Sequence, residues 1–148
     1  MAIKIRLLQV ADLKPKSGLW ETLANLTFGK KVSYSQAVRA YYRTKKQNSY
    51  TYVAVDSTDG QIVGTTKLLV EQKFIRSLAL AGHIEDVATR KGYEGQGIAS
   101  QLIIMALQKA KVLGCYKVIL DCRKELIGFY KKFGFKEAEV EMKIYFEK

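Results

Sequence analysis

The sequence predicts an α/β (α+β) domain, a mixed and mainly antiparallel central sheet with helices on both faces. Three observations carry that expectation. Apolar and β-branched runs recur over 3–8, 50–55, 61–70 and 78–89, which is strand patterning. Asp59-Gly60 sits between two of these runs as a hairpin turn would. A single long helical period, Ile98 to Ala110, lies between two further apolar runs. With 148 residues, one proline and no linker or repeat, the chain reads as one domain over 1–148.

The elements follow in order. Leu19, Leu23 and Leu26 recur at helical spacing after Pro15, and Ser35 is placed to cap a second helix running to Lys45. The strand over 78–89 is expected to break at Gly82. Leu102, Ile103, Ala106, Leu107 and Ala110 give the long helix its buried stripe, and Gly114 closes it. A buried-type strand over 116–122, a short helix over 126–133 ended by Gly134, and a last strand over 135–146 complete the expectation.

The formal net charge of +11 favours anionic partners. The basic residues are scattered rather than run together, so nucleic acid is not the expected partner. No stretch approaches the ~20 apolar residues of a membrane span. The start of the chain carries no apolar signal region, so the expected location is the cytoplasm. Cys115 and Cys122 bracket a short strand, which sets them too far apart for a bridge and predicts buried, reduced thiols. With one histidine and no compact Cys/His cluster, no metal site is expected.

The chemistry concentrates in Gly92-Tyr93-Glu94-Gly95-Gln96-Gly97-Ile98-Ala99. This glycine-rich turn runs from a strand into the long helix. Such a turn offers free backbone N–H groups to a phosphate, and glycines allow close approach. It is not a P-loop, because Ile98-Ala99 stands where Lys-Ser/Thr is required. It is not a dinucleotide fingerprint either, because Ser100 replaces the third glycine.

The run resembles the pyrophosphate loop of the GNAT family of acyl-CoA-dependent N-acetyltransferases, Arg/Gln-x-x-Gly-x-Gly/Ala. Gly97 and Ala99 match, while Glu94 replaces the usual Arg or Gln. Four further segments match in order the branch of this family that acetylates glucosamine 6-phosphate: Gly82 to Ala88, Gly114 to Cys122, Phe129 to Phe135, and Val140-Glu141-Met142.

The resemblance implies a GNAT fold, acetyl-CoA as cosubstrate, no metal, and attack of the amine of glucosamine 6-phosphate on the thioester in a ternary complex. The product would feed amino-sugar nucleotide synthesis. It implies coenzyme contacts from Val87, Ala88, Thr89, Gly95, Gln96, Gly97, Ile98, Ala99 and Ser100. The N–H of Val87, in a bulge, would polarise the thioester carbonyl. Tyr130 would be the general acid, and the main-chain carbonyl of Asp121 would orient the amine. On spacing alone, Tyr130 reads as a core aromatic of the Phe129, Phe133 and Phe135 cluster, and the resemblance reverses that reading. Thr27, Lys73, Arg76, Glu85, Asp86, Tyr116, Lys117 and Asp121 would bind the acceptor. Tyr116 and Lys117 would come from a second subunit of a homodimer. His83 reads as a hydrogen-bonded structural residue. Tyr145 stands where the family often carries a basic residue, so the phosphate clamp would differ. Three alternatives stay open: a GNAT enzyme acting on a protein or another small amine, a basic nucleic-acid-binding module, and a coenzyme sensor without turnover.

Overall fold

The structure is a computed structural model and describes residues 2–27 and 29–146. Among these residues, five strands form one sheet: β1 (Ile3–Leu7), β2 (Ser49–Asp56), β3 (Ile62–Gln72), β4 (Leu80–Thr89) and β5 (Cys115–Ile119). They lie in sequence order across the sheet. Every pair is antiparallel except β4–β5, which is parallel. A parallel neighbour needs a crossover, and the helix following β4 supplies it.

Two short helical segments and one longer helix cover one face. A 3-10 turn (Val10–Leu13), α1 (Leu19–Leu23) and α2 (Tyr34–Lys45) bury Leu13, Leu19 and Ala37 against Val53 and Ile62. On the other face α3 (Ile98–Val112) buries Ile98, Leu102, Ile103, Ala106 and Ala110 against β2, β3 and β4. Each fully buried Leu or Ile contributes about 2 kcal/mol relative to exposure. Gly64 lets α3 lie close to β3: a Cβ there would stand 2.6 Å from Cγ2 of Ile98. Near the C-terminal end, a 3-10 turn (Lys124–Leu126) leads into α4 (Ile127–Lys131).

The sequence expectations hold for the sheet and the two-faced helical cover, and fail in six local places. The 3-10 turn Val10–Leu13 was not foreseen. Its Asp12 accepts from the Gln9 N–H at 2.7 Å and takes a two-pronged bond from Arg6 at 2.7 and 2.8 Å. The first helix ends at Leu23, leaving Leu26 42% exposed. Ser33, not Ser35, caps α2, because Ser33 and Gln36 form a reciprocal capping box that Ser35 cannot. β4 runs unbroken through Gly82, and β5 stops at Ile119 rather than Cys122. Residues 135–146 form no strand: a strand needs an edge to pair with, and none in this chain is paired with them.

Candidate active site

β4 carries an irregularity where the sheet meets its chemistry. Thr65 pairs with Ala88 and Lys67 with Glu85, so Asp86 and Val87 together oppose Thr66. Two residues against one is a β-bulge. Asp86 absorbs it with φ of 52°, a left-handed value that asparagine and aspartate tolerate better than most residues. The bulge interrupts the ladder at Val87, and it turns Asp86 toward a cavity of about 190 Å³ shared with Thr65, Lys67, Trp20 and Leu23.

The parallel pairing of β4 with β5 ends at His83 opposite Ile119. Among the described residues, the β5-facing edge of β4 has no strand beside it from Ile84 to Thr89. Such an edge can pair with an extended amide-bearing arm. Asn25 buttresses its far end, donating from Nδ2 to the Thr89 carbonyl at 2.7 Å.

The chain then turns through the glycine loop. Gly92, Gly95 and Gly97 have φ of 91°, 74° and 77°. Gly97 is the residue before α3, and the Gln101 N–H is already bonded to its carbonyl. The N–H groups of Ile98, Ala99 and Ser100 fall in the first turn of a 15-residue helix, where no intrahelical acceptor exists. Free amides of this kind suit an anion. Glu94, the departure from the loop pattern, is engaged within the loop: its Oε2 accepts the Gly92 N–H at 2.6 Å. Its charge is spent on bracing the loop.

Charged groups on the sheet and its loops divide into two ends. At one end Arg76 lies over the Tyr116 ring at 4.5 Å and Lys117 at 5.5 Å. Lys73 completes the cluster, close enough for Tyr116 to influence its ionisation. At the other end Glu85 stands near Asp86 and Asp121. Desolvation and those two carboxylates push the Glu85 carboxyl above its ordinary value. The cationic group comes from the β3–β4 turn and β5; the acidic group comes from the bulge and the segment after β5.

Tyr130 is buried to 7% exposure at the edge of the core under α3. Phe129 and Phe135 pack edge-on to its ring at 4.9 and 6.0 Å. Desolvation, with a smaller effect from Cys122, raises its phenol above the ordinary value, so it stays protonated at neutral pH. Both cysteines are free; Cys115 is half-buried and Cys122 exposed, which corrects the expectation of two buried thiols.

The pattern described as the acetyltransferase (GNAT) family matches residues 19–135. The chain belongs to the GNAT family. It is 32% identical over 146 residues to glucosamine 6-phosphate N-acetyltransferase of Arabidopsis thaliana, covering 97% of each chain. The enzyme of the same name from Trypanosoma brucei brucei is 32% identical over 142 residues, covering 96% of this chain and 95% of that one. The crystal structure of the Arabidopsis thaliana enzyme superposes with a TM-score of 0.93 over 99% of this chain and 100% of that one.

In this acetyltransferase the structure gathers most of the residues singled out from sequence and leaves one apart. Glu85, Asp86, Val87, Asp121 and Lys73, Arg76, Tyr116, Lys117 occupy β4, β5 and the two adjoining loops. Arg76 adjoins Tyr116 within a single chain, without a second subunit. Thr27 is exposed just past the turn that follows α1 and has no described contact with this group. Asp121 does not cap a helix; Arg123 is the residue before the next turn. Sequence reasoning missed Glu71, which pairs with both Lys73 and His83. The signal was present as Glu71-x-Lys73, a carboxylate and an ammonium two residues apart at a strand end, on one face. Among the described residues no group of three or more His, Cys, Asp or Glu could hold a metal ion. No described helix is long and apolar enough to cross a membrane.

Proposed function

We propose that this chain transfers the acetyl group of acetyl-CoA to the amine of glucosamine 6-phosphate, giving N-acetylglucosamine 6-phosphate for amino-sugar nucleotide synthesis. The observation that carries the reading is the placement of cations at the β3–β4 turn and carboxylates toward the bulge along β4. An amino-sugar phosphate is anionic at one end and cationic at the other. The Lys73, Arg76 and Lys117 cluster suits its phosphate, and Glu85 with Asp121 suits its ammonium. The names of the full-length relatives agree with it.

The residues present fit acetyl-CoA. The first-turn amides of α3, with the loop from Gly95 to Ser100, suit the diphosphate, and the free edge at Val87, Ala88 and Thr89 suits the pantetheine amides. The coenzyme supplies a thioester carbonyl open to attack. The bound ammonium first releases one proton to solvent; the neutral amine then forms the N–C bond, and the Val87 N–H donates to the oxygen as it becomes anionic. The C–S bond then breaks with its electron pair on sulfur, and Tyr130 delivers a proton there. The proton lost by the amine passes by way of the Asp121 carbonyl to solvent, which reprotonates Tyr130. No covalent enzyme intermediate is needed, so both substrates meet in one ternary complex.

The functional unit in this reading is a homodimer. Val140, Met142, Ile144 and Phe146 alternate along the last described segment and are 86%, 92%, 81% and 88% exposed. An apolar alternation over Val140 to Ile144, continued by Tyr145 and Phe146 and left in water, is the pattern of a half-buried strand whose sheet is elsewhere. A second copy would supply that sheet.

Following free thiol tests the activity. Release is expected with acetyl-CoA plus glucosamine 6-phosphate, and not with glucose 6-phosphate, which has no amine. Preferential release with a lysyl peptide would transfer the fold's chemistry to a protein acceptor and reject the sugar reading.

A further inference from the structure

The β3–β4 turn holds a device that the reaction scheme does not use. Glu71 sits near the end of β3, opposite Ala81 in the antiparallel register, and His83 is two residues further along β4 on the same face. The two carboxylate oxygens of Glu71 are divided. Oε1 meets Lys73 Nζ at 2.7 Å, and Oε2 meets His83 Nε2 at 3.1 Å. All three side chains are partly shielded, with exposures of 39% for Glu71, 29% for Lys73 and 23% for His83. The Lys73 and His83 contacts hold the Glu71 carboxyl below its ordinary value, and Glu71 raises the Lys73 ammonium.

The backbone beneath this group is equally fixed. The Lys73 N–H donates to the Ala79 carbonyl at 2.9 Å, closing the mouth of the turn. The Gln72 side-chain amide donates to the carbonyls of Lys73 and Leu78, both at 2.9 Å. Inside the turn Arg76, Ser77 and Leu78 have φ of 52°, 56° and 67°, three consecutive left-handed residues with no glycine among them. Such a conformation costs about 1–2 kcal/mol per residue and persists only where its surroundings hold it.

From this geometry we infer that Glu71 is a positioning residue for acceptor recognition: braced by His83, its carboxylate fixes the Lys73 ammonium beside Arg76 and Tyr116, aimed at the acceptor's phosphate. The inference rests on the proposed reading of Lys73 as a phosphate ligand. An ammonium has three N–H donors, so one given to Glu71 leaves two for phosphate oxygens. A free lysine has about 2 kcal/mol of rotamer entropy to lose on binding. Glu71 removes much of that loss before substrate arrives. It also lowers the local positive charge, an effect of opposite sign on phosphate affinity. The partial exposure of the group weakens this Coulomb cost through solvent screening, so preorganisation dominates.

Steady-state kinetics on the full chain decide the matter. Glu71→Ala is expected to raise KM for glucosamine 6-phosphate about tenfold. It should leave kcat within about twofold and KM for acetyl-CoA unchanged, since the coenzyme loop is on another element. Glu71→Gln keeps an acceptor for Lys73 and is expected to restore most of the affinity. In a Lys73→Ala background, Glu71→Ala should add less than about twofold, because the two act through one contact. A lowered KM in Glu71→Ala would make Glu71 a competitor for Lys73 and overturn the inference. So would a parallel loss of both KM values, kcat and Tm, or full additivity in the double variant. Lys73→Ala separates the two layers. If it leaves the preference for glucosamine 6-phosphate over glucosamine unchanged, the phosphate reading of Lys73 falls and this inference with it. If it abolishes the preference while Glu71→Ala has no effect, the inference about Glu71 alone falls.

Discussion

Tyr130 holds two positions that sequence alone set against each other. It packs edge-on with Phe129 and Phe135 as a core aromatic does, and its phenol is raised above the ordinary value by desolvation. Burial is what suits it to donate: a phenol kept neutral through the physiological range always has its proton to give. Tyr130→Phe keeps the ring packing and removes only the hydroxyl. It is expected to lower kcat about 100-fold with little change in acetyl-CoA affinity. The sign for pH follows from the upward shift. The protonated acid is present below its raised pKa and lost above it, so the basic limb of kcat due to Tyr130 should lie above the ordinary phenol value of about 10. Unchanged kcat in Tyr130→Phe would leave Tyr130 a packing residue. An equal fall in coenzyme affinity would make it a binding residue.

At the scale of elements, the glycine loop and the bulge are two devices with different legibility. The loop was readable because its requirement is local. Gly97 needs φ of 77° and glycine supplies it, while a Cβ there would meet nothing within 4 Å. Gly97→Ala is therefore a conformational test without a steric component. It should cost about 1–2 kcal/mol of loop strain and appear as a raised KM for acetyl-CoA with acceptor affinity retained. An unchanged KM would remove the loop from coenzyme binding. The bulge was expected only through the family resemblance, although the two consecutive acids Glu85-Asp86 before Val87 do break the strand alternation. Capping went the same way. Ser33 and Ser35 are both competent caps, and only the reach of Gln36 back to the Ser33 N–H selects between them. The Glu71 contacts join different strands, so no local reading reaches the one to His83.

For the whole molecule, the segment after Gly134 bears on the proposed assembly. Its apolar pattern reads as a strand, and among the described residues no strand forms there. Phe135 packs against the core, so the chain is anchored there and the exposed run follows. Removing residues 139–148 is expected to convert a dimer to a monomer in light scattering while leaving the thermal transition of the core within a few degrees. A full-length chain that scatters as a monomer at micromolar concentration would contradict the proposed assembly.

The central claim is that acetyl-CoA and an amino-sugar phosphate meet at the β4 bulge, the acceptor held between the Tyr116 cations and the Glu85–Asp121 carboxylates. The most direct measurement is the ratio of kcat/KM for glucosamine 6-phosphate to that for glucosamine, at fixed ionic strength. Charge-assisted bonds to the phosphate predict a ratio of about 100 or more. A ratio near one, with both sugars acetylated alike, would contradict the account.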